Sequence, residues 1–124
     1  MDLVRQILLD IEGGKTGFEI SDIDDEGEEV PEPEATARRA LEHHLHIMEG
    51  AGLLTVHAWT NGACVVERLT WEGHDLLDSV RDPEVWKETK SGLSKVGGWT
   101  VDLMKDAAKA YLKMRVKDVL GLDI

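Results

Sequence analysis

A chain of 124 residues, 42% hydrophobic and 31% charged, has the balance of a globular protein with room for one modest core. It lacks any apolar run near the ~20 residues that span a bilayer, any basic n-region leading into an apolar stretch and, with Cys64 alone, any internal disulfide. The sequence therefore predicts a single cytoplasmic domain over residues 1–124 with no membrane, metal or cofactor requirement. Its net charge of −11 would argue against a polyanionic partner if it were evenly spread. Residues 1–34 instead hold twelve acids and two bases, residues 35–69 three of each, and residues 70–124 ten acids and nine bases.

Leu3, Val4, Ile7, Leu8 and Ile11 fall on one helical stripe, predicting an N-terminal helix within residues 1–14 that Gly13 and Gly14 end. Residues 17–21 alternate weakly, as a short strand does. Residues 19–34 are dominated by carboxylates and carry two prolines, which predicts an exposed acidic loop. From Ala35 to Met48 the helical rhythm returns, with Ala37, Leu41, His44, Leu45 and Met48 on one face and Arg38, Arg39, Glu42, His43, His46 and Glu49 pointing away. Residues 50–52 (GAG) stop it.

Residues 53–60 and 63–69 are rich in Val, Leu, Thr and Trp and flank Asn61-Gly62, the strongest short-range signal for a hairpin with a type I′ turn. That turn would pair Trp59 with Cys64 and His57 with Val66. Thr70 is placed as an N-cap, and Leu76, Leu77 and Val80 form the next apolar ridge. Asp82-Pro83 restarts the helix, with Trp86, Leu93 and Val96 expected inside and Gly97-Gly98 at its end. A final amphipathic helix begins at Trp99 or Thr100, with apolar Val101, Met104, Ala108, Tyr111, Leu112 and Val119 and basic Lys105, Lys109, Lys113, Arg115 and Lys117.

A helix ending in EGAGLL (residues 49–54) and a strand ending in LTWEG (residues 69–73) resemble the wing of MarR-like and PadR-like winged-helix regulators. Three further pieces are similar to an uncharacterised family, domain of unknown function 2513, found in bacterial genomes and prophages. These are residues 1–12, MDLVRQILLDIE, residues 44–53, HLHIMEGAGL, and residues 71–90, whose pattern is WEGHDLLDxxRDxxxWxxxK. The resemblance implies an α+β, mainly α, winged-helix fold. Its core spans residues 35–82, and additional C-terminal helices occupy residues 83–124.

On that fold, residues 35–48 occupy the recognition-helix position, and Arg38, Arg39, His43 and His46 are the candidates for nucleic-acid contact. Glu42, Glu49 and a wing tip without bases oppose that reading. His43, His44 and His46 point in different directions and cannot share one ion. Cys64 reads as a half-buried hydrophobe rather than a nucleophile. Trp71, His74, Asp75 and Asp78 share a helical face. Asp78 is placed to pair with His74, and Arg68 and Arg81 to complete a salt-bridge cluster, a structural patch before a catalytic one. Val101, Met104, Ala108, Tyr111 and Leu112 are the expected homodimer face, since two-fold pairs are the commonest oligomers. Two classes of partner follow: duplex DNA for a non-catalytic regulator, or a host or phage protein for an interaction module that mimics DNA through its acidic segment. No set of base, nucleophile and oxyanion donors suggests an enzyme.

Overall fold

The computed structural model describes residues 2–121. Along the chain run α1 (Asp2–Glu12), β1 (Gly17–Glu19), α2 (Glu34–Gly50), β2 (Leu54–Trp59), β3 (Ala63–Leu69), α3 (Trp71–Val80), α4 (Pro83–Ser94) and α5 (Val101–Leu120). This is the expected α+β, mainly helical class, with one small antiparallel sheet ordered β1-β3-β2. The helix–strand–helix–hairpin order is winged-helix-like, with further helices after it. Contacts gather into two compact units, residues 2–73 and the residues from 74 onward, divided inside α3.

In the first unit, Gly17, Phe18 and Glu19 pair with Val65, Cys64 and Ala63, so the weakly alternating run is a strand. Its one inward side chain, Phe18, is buried together with Val4, Ile7 and Leu8 of α1, Leu45 and Met48 of α2, and Leu54, Cys64, Val66 and Leu69 of the hairpin. Each such side chain contributes roughly 1.5–3 kcal/mol by leaving water. The acidic segment is more ordered than its composition suggests. The Asp24 carboxylate accepts the N–H groups of Glu26 and Glu28 at 2.9 Å, closing a turn of the kind Asp favours. Ile23 bridges Glu29, and Ile20 and Val30 are buried as apolar anchors.

The structure departs from three local expectations. On α2 the inward stripe contains Ala35, Leu45 and Met48, and Arg38 lies on it with its side chain only 14% exposed, whereas Ala37 faces out. At the hairpin tip Trp59 does pair with Cys64, but Val56, not His57, opposes Val66. Neither Asn61 nor Gly62 has the positive φ of a type I′ turn. Thr60 is the reason: its hydroxyl accepts the Ala63 N–H at 2.9 Å while its own N–H donates to the Ala63 carbonyl at 2.9 Å. A side chain takes the place of the backbone acceptor, and the turn needs no left-handed residue.

The base of the hairpin is tied to the end of α2. Gly52 takes φ +76°, a region that suits glycine, and turns the chain into Leu53. The Leu53 carbonyl then accepts the Thr70 N–H at 3.0 Å. Thr70 also donates its hydroxyl to the Gly52 carbonyl and accepts the Gly73 N–H, capping α3 as expected. Gly73 sits so close that an added Cβ would lie 1.9 Å from the Leu53 oxygen.

The second unit holds the remainder of α3, with Leu76, Leu77 and Val80 buried, followed by α4 and α5. Asp82 caps α4, accepting the N–H groups of Glu84 at 2.8 Å and Val85 at 3.4 Å. These bonds, followed by Arg115 at 3.4 Å, hold its carboxyl below the usual range. Thr100 caps α5 through the Leu103 N–H. Trp86 and Leu93 are buried, but Val96, expected inside, is 72% exposed, because α4 stops at Ser94 and Val96 falls in the turn leading to Gly97. Gly92 lies against the Tyr111 ring of α5.

The two glycines make a paired prediction. Gly73→Ala sets a methyl group against backbone, and the ~1 kcal/mol that alanine gains in a helix cannot offset a displaced strand junction. Overpacking costs of about 3 kcal/mol are expected. At Gly92 the obstacle is the far end of the Tyr111 side chain, which turns aside, so Gly92→Ala should stay within about 1 kcal/mol of the parent. Urea unfolding followed by circular dichroism measures both, and equal effects would contradict the account.

Candidate functional site

The exposed side of α2, the neighbouring acidic segment and the hairpin tip form the surface on which the candidate nucleic-acid residues lie. Glu34 sits one helical turn before Arg38, and β1 brings Glu19 to the same guanidinium. Arg38 donates to the Glu34 carboxylate at 2.9 Å, to Glu19 at 3.1 Å and to the Ser21 carbonyl at 3.2 Å. The Glu34 contact is the main reason its pKa is raised further. Arg39 donates to Glu32 at 2.9 Å and to the Thr36 hydroxyl at 3.1 Å. Glu32 also takes the Thr36 hydroxyl, and that bond, ahead of Arg39, holds its carboxyl below the usual value. Both arginines are therefore engaged by carboxylates of residues 19–34.

The histidines separate. His46 stacks flat on Trp59, with centroids 3.9 Å apart and rings 8° from parallel, while the Trp59 indole N–H donates to Glu49 at 3.3 Å. Glu42 stands 3.9 Å from the His46 ring nitrogen. His43 is exposed, with its ring edge-on to His44, and His44 Nδ1 lies 2.8 Å from the Ala40 carbonyl oxygen. Among the described residues no group of three His, Cys, Asp or Glu side chains is arranged to hold a metal ion. No described helix is long and apolar enough to cross a membrane.

Among the described residues the motif side chains do not form one cluster. Trp71, at the start of α3, is 84% exposed. In the second unit Asp75 binds the Lys109 ammonium at 2.6 Å, and Asp78 binds Arg81 at 3.1 Å rather than His74, which is exposed. Of the five expected dimer residues, Val101, Met104 and Ala108 are buried in the chain's own fold, and Tyr111 and Leu112 are half-buried. The apolar side chains that α5 leaves open include Leu103, Met114, Val116, Val119 and Leu120. Cys64 is buried, and desolvation, with Glu49 adding to it, pushes its thiol up to about 11. That is the wrong direction for a nucleophile, whose thiolate must form near neutrality.

Sequence reasoning found Arg38 and Arg39 but missed their partners. The Glu34–Arg38 spacing of four residues was a readable signal. The Glu19 contact depends on β1 pairing with β3, and the His46–Trp59 stack on hairpin placement, so neither has a local signature.

These features define a small α+β protein, winged-helix-like in its first unit, whose α2 arginines are held by its own acidic segment. The chain belongs to the family of hypothetical proteins DUF2513, whose model matches residues 1–99. An uncharacterized protein of Haemophilus influenzae is 28% identical over 134 aligned residues, covering 97% of this chain and 96% of the relative. No solved structure matches.

Two outcomes are expected at this surface. Arg38→Ala removes three ties to residues 19–34, so a glutamate-specific protease should cut at Glu26, Glu28 and Glu29 several-fold faster than in the parent, while the far-ultraviolet spectrum stays unchanged. Cys64 should resist a thiol reagent at pH 8 until the protein is unfolded. Because its folded pKa is raised, stability is full below the ordinary thiol value, 9.0, and falls as pH climbs toward about 11. Cys64→Ala should flatten that alkaline slope in urea titrations.

Proposed function

We propose that this protein is a non-catalytic protein-interaction module rather than a reader of duplex DNA. The observation that carries this is the state of Arg38, whose guanidinium is shared among two carboxylates and a carbonyl and is mostly covered. Affinity for a duplex grows with each phosphate that a free base neutralises. On α2 the two arginines are already neutralised, and the hairpin tip at residues 60–62 has no base. The carboxylates of residues 22–29 instead offer a negative surface on an ordered turn, suited to a basic protein partner.

A second reading has one observation in its favour: Arg38 and Arg39 are held by the same segment, as in a regulator whose acidic arm occupies its own nucleic-acid face. One experiment separates the two. Fluorescence anisotropy with random duplex in about 50 mM salt should show no binding by the parent up to ~100 μM, the weak end of ordinary non-specific affinity. The triple variant Glu19→Gln, Glu32→Gln, Glu34→Gln should remain equally inert. Salt-sensitive binding by the parent would overturn the interaction-module reading. Binding gained only by the triple variant would overturn it too, in favour of the gated regulator.

A further inference from the structure

Helix α5 carries a second apolar stripe, distinct from the one it buries. Leu103, Ala107, Ala110 and Met114 are spaced by four, three and four residues, the rhythm that keeps side chains on one seam between paired helices. Leu103 is 47% and Met114 58% exposed, Ala110 is exposed and Ala107 half-buried, so the chain itself leaves the seam open. The two alanines at its centre allow another backbone to approach closely.

The charges beside the seam choose the occupant. Asp106 and Lys113 each precede a seam residue, Ala107 and Met114, and so lie on the same flank. Neither enters a salt bridge within the described chain, whereas Lys109 and Arg115 are bound to Asp75 and Asp82. When two copies of this helix are laid antiparallel, with Leu103 opposite Met114 and Ala107 opposite Ala110, Asp106 of each meets Lys113 of the other. The pattern complements itself under a two-fold axis, and the opposed helix dipoles add to it. A parallel pair would keep one such contact, Lys113 with Asp118, and would set Asp106 against Tyr111, which lies against Gly92 of its own chain.

We propose that α5 docks antiparallel on α5 of a second copy of this chain through Leu103, Ala107, Ala110 and Met114, with reciprocal Asp106–Lys113 ion pairs fixing the register. This face differs from the inward stripe of Val101, Met104 and Ala108, and its use is independent of whatever α2 binds. Four short layers make a small interface, so a weak pair is expected, with a dissociation constant on the order of 10 μM.

Sedimentation equilibrium of the full chain tests it. A mass of twice 13.8 kDa is expected at about 200 μM, and the monomer at about 1 μM. Leu103→Lys should leave only monomer. Asp106→Lys and Lys113→Asp should each weaken the pair about fivefold or more, and the double exchange should restore it to within about twofold, since the two charges act as one unit. Circular dichroism checks that every variant is folded. A parent that is monomeric at about 500 μM would overturn the proposal, as would a dimer indifferent to Leu103→Lys. Repair of Lys113→Asp by Asp118→Lys rather than by Asp106→Lys would show a parallel pair and overturn the register.

Discussion

The backbone carbonyl of Leu53 is the point on which the first unit turns. It accepts the Thr70 N–H, lies beside the Gly52 carbonyl that takes the Thr70 hydroxyl, and leaves no space for a side chain at Gly73. The exit of α2, both ends of the hairpin and the start of α3 are thereby held within a few ångströms. A buried carbonyl left without a donor would cost about 1–3 kcal/mol, so the threonine and the glycine act together. This gives the LTWEG run a physical meaning: leucine fills the core, threonine caps and ties, and glycine permits the approach. Trp71 and Glu72, between them, are free to face solvent.

The acidic segment shows which force holds and which force selects. Exposed ion pairs are worth only about 0–1 kcal/mol each, so Glu19, Glu32 and Glu34 cannot by themselves keep residues 19–34 in place. Burial of Ile20 and Val30, at roughly 1.5–3 kcal/mol each, does more. The ion pairs decide something else, namely what the arginines of α2 are available to meet. A residue in the recognition-helix position is therefore not by that fact a reader of bases, and fold analogy stops short of function here.

Much of this was legible in the sequence where the determinants are local. Thr70 and Asp82 are caps set by their own next three residues, and the two β-rich runs flanking Asn61-Gly62 announce a hairpin. What failed depended on particular contacts and helix ends that periodicity does not read. Ala37 and Arg38 are adjacent, and a shift of 100° in helical phase exchanged the outward residue for the inward one, because a guanidinium can sit on a buried stripe when carboxylates receive it. The turn type hinged on one hydroxyl, that of Thr60. Periodicity exposed the apolar stripe of Val101, Met104 and Ala108 but gave no sign whether its cover was the same chain or another.

The hairpin's register carries one more consequence. Along most of its length β2 and β3 stay in step, yet His57 is an extra residue on one strand and Glu67 on the other, and the two irregularities cancel. β2 is an edge strand of the sheet, and its alternating Leu54, Val56 and Ala58 would otherwise accompany a flat row of backbone donors and acceptors open to any extended chain. Bulges break that row and increase its twist. An edge interrupted in this way is a poor template for strand-to-strand growth, a useful property for a strand at the rim of so narrow a sheet.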